Sequence, residues 1–176
     1  MRHLLPLLSL AVLLVASPLR SAETAVTPDD VLRMMDTQPG LEYGKTPYRW
    51  SKVGQAKTIA QGIAKVAPSR EDAAELVVYD VREGGNLLQA LGDGGHSHGP
   101  WQLSDKRTSP EVATDPEKGA KAWMGVATDS RLTCGDLPPD EQLAALASGS
   151  CEHGVKLARH RAHLTRVALG LEALGR

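Results

Sequence analysis

The sequence predicts a mainly α-helical domain with a small loop or short β-hairpin region between its early and late helices. Apolar residues recur at the three-and-four spacing of a buried helix face in segments 55–67, 69–83 and 155–174. Helix-capping residues, glycines and prolines stand at the ends of these segments. No long strand-like alternation occurs, although two or three short strands fit within residues 88–104.

The first 22 residues have the order of a secretory signal. Arg2 precedes an apolar run over residues 4–16, and Ser21 and Ala22 end the segment. This apolar run is too short to span a bilayer comfortably, so we expect it to be removed rather than kept as an anchor. We therefore predict a signal peptide (1–22), an N-terminal extension (23–52) and one folded domain (53–176), in a secreted or periplasmic protein.

The composition excludes some classes of partner. The formal net charge of the 176 residues is −1, and removing the signal takes away two arginines and no acid. A weakly acidic protein gives no electrostatic basis for binding nucleic acid, which relies on clustered cations. We expect no nucleic-acid partner, no cofactor, no stable membrane insertion after signal removal, and a monomer.

Cys134 and Cys151 are the only cysteines, and both lie in the part predicted to be exported. In an oxidising compartment they are expected to form a disulfide, which stabilises a loop of this size by roughly 3 kcal/mol. A metal site is not predicted, because no Cys-x-x-Cys spacing exists and the pair His96 and His98 has no apparent third ligand.

The first predicted helix lies within the extension. Thr27 is placed to cap a helix that begins at Pro28, and the pair Met34 and Met35 supplies apolar side chains for packing. We expect the remainder of residues 23–52, which is rich in proline and glycine, to cross the surface of the domain.

Two longer helices follow. One runs from Gln55 until Pro68 stops it, and Ser69 caps the second, which ends at Glu83 before two glycines. Their predicted buried sides are Ile59, Ile63, Val66 and Ala67 in the first, and Ala73, Leu76, Val77 and Val81 in the second.

Three more helices are predicted beyond the glycine-rich loop at 92–99. Thr114 or Asp115 caps the first, and Pro138 begins a short one that ends at Ser148. The last covers residues 155–174, with Leu157, Leu164, Val167, Leu171 and Leu174 along one side. Its basic residues, Lys156, Arg159, Arg161 and Arg166, are interpreted as a solvated face.

Glu83 is the candidate catalytic residue. A carboxyl group in the last turn faces the negative end of the helix dipole, and apolar neighbours withhold water, so both effects favour the protonated acid. Such an acid suits general acid catalysis near neutral pH. The alternative is an exposed Glu at a frayed helix end. Asp80, one helical turn earlier, either repels Glu83 and favours its protonation or faces solvent.

Several segments, in order, resemble the lysozyme-like superfamily, in particular its soluble lytic transglycosylase and goose-type lysozyme branch. In that branch a helix ends in a catalytic Glu and a Gly-x-x-Gln segment follows about twenty residues later. Glu83 and the segment Gly99-Pro100-Trp101-Gln102 stand in these places. Residues 92–95 and 105–107 are similar to goose-type segments, and residues 146–149 match the place of a Tyr-Asn-Ala-Gly-like segment.

The resemblance implies an enzyme that cleaves the β-1,4 bond between N-acetylmuramic acid and N-acetylglucosamine in peptidoglycan glycan strands. In a lytic transglycosylase, Glu83 alone serves as acid and then base and gives a 1,6-anhydro product. A goose-type muramidase also needs a group that holds water, for which Asp93 and Asp105 are candidates. A non-catalytic peptidoglycan-binding module is a further interpretation, because Gly84 and Leu146 replace the usual Ser and Tyr.

The loop supplies the predicted substrate contacts, which are Ser97, Gly99, Trp101 and Gln102. Gln102 is expected to bind the sugar or brace the loop, and Trp101 to stack on a sugar ring or fill the core. Asp93 and Asp105 also have an ordinary explanation as turn and capping residues. An exported structural protein unrelated to lysozyme is the last alternative, in which Glu83 and Gln102 would not share a groove.

Overall fold

The computed structural model describes residues 25–39 and 53–173, with side chains from residue 55 in the second range. These ranges form seven α-helices and a small three-stranded antiparallel sheet, which confirms the predicted fold class of a mainly helical domain with a short β region. The helices are α1 (Pro28–Thr37), α2 (Val53–Val66), α3 (Arg70–Glu83), α4 (Pro110–Thr114), α5 (Pro116–Thr133), α6 (Ala144–Ser148) and α7 (Cys151–Ala168). The predicted signal peptide and the surface crossing at 40–52 lie outside the described residues.

Helix α3 lies at the centre of the domain. It is packed against α1, α2, α5 and α7, and every residue from Leu76 to Val81 is buried. A helix that is buried on all sides needs no amphipathic pattern. The buried surface of α3 is therefore wider than the single apolar side that the sequence predicted. Asp80 is fully buried, and the interpretation that it faces solvent is therefore wrong.

Helix α1 contributes to the same core. The hydroxyl of Thr27 accepts a hydrogen bond from the backbone N–H of Asp30, whose carboxylate accepts one from the N–H of Thr27, and this closes a capping box. Val31 and Met34 are buried, so the methionine is used for packing. The segment predicted as an extension therefore supplies part of the core.

The small sheet lies in the interval where short strands were expected. Its strands are β1 (Leu91–Gly92), β2 (Ser97–His98) and β3 (Leu103–Ser104), in the order β1-β2-β3. Leu91 pairs with His98, and Ser97 pairs with Ser104. A 3₁₀ turn over Asp93–Gly95 connects the first two strands, where Gly94 has a φ of 67°.

The last helix differs from the prediction at both ends. It begins at Cys151 rather than 155, because the Ser150 hydroxyl accepts a hydrogen bond from the N–H of His153 and caps it. It ends at Ala168, where Gly170 takes a φ of 74°. Leu171 therefore lies beyond the helix and is exposed.

The region between α3 and α7 contains two further differences. Helix α4 was not indicated by the sequence. The helix predicted from Pro138 to Ser148 is divided into a 3₁₀ turn over Pro139–Glu141 and the separate α6.

Cys134 and Cys151 form a disulfide, as predicted. It joins the C-terminal cap of α5 to the first residue of α7 beside a small apolar cluster that contains Ala144 and Ala158. None of the helices in the described ranges has the length and apolar character needed to cross a membrane.

Candidate active site

A cleft of about 520 Å³ lies beside the C-terminal end of α3. Its walls come from the end of α3, residues 93–107 of the sheet region, α5, residues 145–149 and α7. Of the predicted site residues, Glu83, Asp93, Ser97, Trp101 and Gln102 line it. The fold therefore brings the candidate acid and most of the loop residues to one concave surface.

The end of α3 is in direct contact with the loop. The backbone N–H groups of Gly84 and Gly85 both donate to the carbonyl oxygen of Asp80, each at 2.9 Å, and end the helix. A Cβ atom at Gly84 would collide with the backbone of Pro100. This contact requires a glycine at residue 84, and it leaves Glu83 beside the Trp101-Gln102 turn.

Glu83 forms an ion pair with Arg161 of α7, whose Nη2 donates to Glu83 Oε1. The Arg161 side chain is 8% exposed and that of Glu83 is 32% exposed. The guanidinium also lies 4.2 Å from the centre of the Tyr79 ring, which packs against Trp123 at 4.7 Å between centroids. The interpretation of Arg161 as part of a solvated face is therefore wrong.

The spacing of small residues could have revealed this position. Arg161 follows Gly154 and Ala158 by seven and three residues, and both of these are buried. Residues at such intervals share one face of a helix. A basic residue on a face of small residues is directed toward its neighbours rather than toward water.

The ion pair changes the electrostatics expected for Glu83. A guanidinium in contact favours the ionised carboxylate, which opposes the effect of the helix dipole. The Glu83 side chain is also 32% exposed and the residue as a whole is exposed, so water is only partly withheld from it. The environment expected to keep Glu83 protonated is therefore only partly present in the structure.

Asp80 is the second acidic group at this end of α3. Burial raises the pKa of Asp80 well above its usual range, and the backbone amide of Asn86 opposes the shift by a smaller amount. Neither carboxyl oxygen accepts a hydrogen bond of normal geometry from the described residues. Asp80 does not line the cleft.

The structure separates the two auxiliary carboxylates. Asp93 lines the cleft, and its Oδ2 accepts a hydrogen bond from the Ser97 hydroxyl at 2.7 Å. Asp105 is exposed and pairs with His96 at 2.9 Å, away from the residues that line the cleft. The hydrogen bond from His96 lowers the pKa of Asp105 and raises that of His96. Of these two carboxylates, only Asp93 is therefore placed to act on a molecule in the cleft.

Three of the predicted substrate contacts are already engaged within the protein. Ser97 is buried and bonded to Asp93. Gly99 is outside the cleft lining, its N–H donates to Ala90 and its carbonyl accepts from Gln102. Trp101 is 3% exposed and donates from Nε1 to the carbonyl of Leu76 at 2.9 Å, so it fills the core at the floor of the cleft.

Gln102 has contacts that brace the loop, and it also belongs to the cleft wall. Its Nε2 donates to the carbonyl of Gly99 at 2.9 Å, and its Oε1 occupies the space that a side chain at Gly92 would need. Gln102 also has a φ of 48° and lines the cleft. It therefore braces the loop and forms part of the cleft wall.

Sequence reasoning did not identify several other residues that line the cleft, chiefly Tyr79, Arg107, Trp123 and Arg161. Tyr79 lies one turn before Glu83 on α3. Residues at this spacing share a helix face, so the sequence could have placed Tyr79 beside Glu83. Leu146 also lines the cleft. Its backbone N–H donates to the Ser130 hydroxyl at 3.0 Å, which holds it in the wall.

Within the described ranges, no group of three or more His, Cys, Asp or Glu residues is arranged to hold a metal ion. No family model, curated protein or solved structure matches the chain. The geometry of the cleft is therefore the basis for a functional proposal.

Proposed function

We propose that the protein cleaves the β-1,4 bond between N-acetylmuramic acid and N-acetylglucosamine in peptidoglycan strands, as a lytic transglycosylase with Glu83 as its acid and base. The observation that supports this proposal is that the Glu83 carboxylate and the loop carrying Gln102 line the same cleft. The order of the sequence motifs supports it independently.

The size of the cleft is compatible with part of a glycan. Its volume of about 520 Å³ lies within the ordinary range of small-molecule sites, roughly 300–1,000 Å³. A cleft of this size holds a few sugar-sized groups, with the rest of the strand extending over the surface.

The proposed reaction conserves protons and uses no water. Glu83 donates a proton to the glycosidic oxygen as the bond from that oxygen to the anomeric carbon of muramic acid breaks. The resulting carboxylate takes the proton of the C6 hydroxyl as this oxygen forms a bond to the same anomeric carbon. One carboxylate is sufficient, which fits a cleft in which Asp93 is hydrogen-bonded to Ser97.

Zymography on purified peptidoglycan tests this function. We expect the wild-type protein to clear the gel and Glu83→Gln not to clear it. Glu75→Gln is the matched control, because Glu75 also lies on α3 and pairs with an arginine, Arg131, but does not line the cleft. Mass spectrometry of the released fragments should show anhydro products, which are one water lighter than hydrolysed ones.

A muramidase is the hydrolytic form of the same proposal. It requires a group that positions water, and Asp93 is the auxiliary candidate that lines the cleft. Hydrolysed products that are lost in Asp93→Asn would establish this form. Anhydro products from that variant at an unchanged rate would exclude it.

A second candidate function is a peptidoglycan-binding module without efficient catalysis. The contact that favours it is the ion pair between Glu83 and Arg161. This pair stabilises the ionised carboxylate, whereas a general acid must carry a proton. Leu146 in the wall of the cleft, where transglycosylases carry Tyr, favours it as well. Binding to insoluble peptidoglycan without clearing, unchanged in Glu83→Gln, would identify this function.

We also propose that the protein works as a monomer outside the cytoplasm, secreted or in the periplasm. The signal-like N-terminus and the disulfide support this location. Cell fractionation should find a product shortened by about 22 residues in the periplasm or medium.

A further inference from the structure

We propose that Arg161 is a positioning residue that fixes the Glu83 carboxylate at the cleft and sets the pH range in which Glu83 can act as an acid. The catalytic part of this inference rests on the proposed function, since it uses the role given to Glu83. The pairing itself can be measured without any cleavage.

The surroundings of Arg161 hold it in one place. Its side chain is 8% exposed, its guanidinium stacks on Tyr79, and Tyr79 packs on Trp123. A buried guanidinium needs a counter-charge, and Glu83 is the acidic group that meets it in the described part of the chain. Arg161 is therefore a fixed anchor, and the more exposed Glu83 side chain is oriented by it.

A second ion pair on α3, between Glu75 and Arg131, serves as a comparison for the Glu83–Arg161 pair. Glu75 pairs with Arg131, whose side chain is 37% exposed, and neither residue lines the cleft. Both pairs join α3 to another helix. Only the Glu83–Arg161 pair combines a buried arginine with a carboxylate in the cleft.

Arg161 is the cation in contact with Glu83, but other charged or titratable groups lie nearby. Asp93 and Arg107 line the same cleft, Tyr79 and the buried Asp80 lie on the same helix, and His160 on α7 interacts with Arg82. Replacing Arg161 with a neutral residue leaves all of these in place. The ionised form of Glu83 then loses its main stabilising contact, so the carboxyl group keeps its proton to higher pH.

The test is a pH titration of the glutamate side chains, followed by the ¹³C chemical shift of the carboxyl carbon, with the Glu83 signal assigned from its loss in Glu83→Gln. Arg161→Met and Arg161→Gln remove the charge, and either serves if the other fails to fold. We expect the titration midpoint of Glu83 to rise by about 1 pH unit or more in these variants. Arg161→Lys retains the charge and should keep the midpoint close to that of the wild type.

Arg131→Met is the matched control, and it should leave the midpoint of Glu83 unchanged. A midpoint that does not move in either neutral Arg161 variant would overturn the inference, whatever the protein does to peptidoglycan.

The catalytic part has its own readout. If the wild-type protein clears peptidoglycan and Glu83→Gln does not, the high-pH limit of kcat/KM should move upward in Arg161→Met together with the titration midpoint. If Arg161→Met instead lowers kcat/KM without moving its high-pH limit, this part is overturned and the role of Arg161 is structural. If Glu83→Gln clears peptidoglycan normally, the proposed function fails. The titration still tests whether Arg161 stabilises the ionised carboxylate of Glu83.

Discussion

The two partners of the cleft ion pair differ in their access to water. The Glu83 side chain is 32% exposed and the Arg161 side chain is 8% exposed. A carboxylate left alone at residue 83 is still hydrated, whereas a guanidinium left alone at residue 161 is buried without a counter-charge. Removing the glutamate should therefore destabilise the protein more than removing the arginine.

We expect Glu83→Ala to lower the free energy of unfolding by about 3 kcal/mol, because it leaves the buried charge of Arg161 unpaired. Arg161→Met should cost about 1 kcal/mol, since Met fills a similar volume and exposes only a hydrated carboxylate. Urea denaturation at pH 7 measures both. Glu75→Ala, which frees the more exposed Arg131, is the control and should cost about 1 kcal/mol or less. Equal losses for Glu83→Ala and Arg161→Met would contradict the prediction.

Asp80 makes stability depend on pH. Because burial raises its folded-state pKa well above the unfolded value of 3.8, its contribution to stability is complete below about pH 4 and is lost as the pH rises toward the folded-state pKa. The wild-type protein should therefore lose stability relative to Asp80→Asn between pH 4 and pH 7. Thermal melts across this range measure the difference. A stability difference between the wild type and Asp80→Asn that stays constant across this range would refute the prediction.

Individual residues were predictable where local chemistry determined their position. Glu83 could be found because a capped helix ending in two glycines fixes where its last carboxyl group lies. Asp80 could not, because a charged residue is normally assigned to solvent. Arg161 was missed for the same reason, although the small residues Gly154 and Ala158 on its helix face were a usable signal. The packing of α3 against α7 shows that both charged residues are buried.

At the level of elements, the junction between α3 and the loop determines the shape of the site. Gly84 has an ordinary helical φ of −99°, so its lack of a side chain serves the close approach to Pro100 rather than an unusual backbone angle. The last turn of α3 and the Pro100 turn therefore meet backbone to backbone. This contact sets the position of Glu83 relative to Gln102.

We expect Gly84→Ala to destabilise the protein by about 1–3 kcal/mol, because the new methyl group has no space beside Pro100. The matched control is Gly125→Ala within α5, where a Cβ would meet no atom within 4 Å. It should be neutral or should stabilise by about 0.5–1 kcal/mol through helix propensity. Chemical denaturation of both variants tests this, and a Gly84→Ala protein as stable as the wild type would disprove the contact.

Helix boundaries were predictable where capping residues specify them. The caps predicted at Thr27 and Ser69 occur in the structure, and Asp115 is the one of the two predicted candidates that caps α5. The region after Pro138 was not predictable, since contacts from another element shape it. The hydroxyl of Ser130 on α5 donates to the carbonyl of Gln142 and accepts from the N–H of Leu146. Such contacts at the start of α6 have no signal in the local sequence.

Across the whole molecule, the disulfide links two walls of the cleft. Cys134 caps α5, which carries Trp123, and Cys151 begins α7, which carries Arg161. Along each helix the bond lies about three turns from these side chains, so it restrains the helices without entering the site.

Removing the disulfide by Cys134→Ser with Cys151→Ser should lower the free energy of unfolding by roughly 3 kcal/mol, mainly by freeing the unfolded chain. Helix content should be unchanged at 25 °C, because α5 and α7 stay packed against the core. Urea denaturation and circular dichroism measure the two effects. A variant of wild-type stability would show that the bond is dispensable for the fold.

The fold class was predictable as a whole, but the arrangement of its parts was not. Helical periodicity and the absence of long strands were sufficient for a mainly helical domain with a small β region. They do not reveal that α3 is surrounded on all sides, or that α7 closes the cleft. These features depend on contacts between residues far apart in the chain, such as Glu83 and Arg161, which are 78 residues apart, and a local pattern cannot specify them.

Trp101 and Trp123 are two of the three tryptophans in the chain, and both line the cleft while remaining 2–3% exposed. The third, Trp50, lies outside the described residues. Indole emission depends on the polarity and motion of its surroundings, so a glycan that enters the cleft should change the intrinsic fluorescence without any attached label. If Glu83→Gln abolishes cleavage, the tryptophan emission of that variant should still show whether a glycan is bound in the cleft.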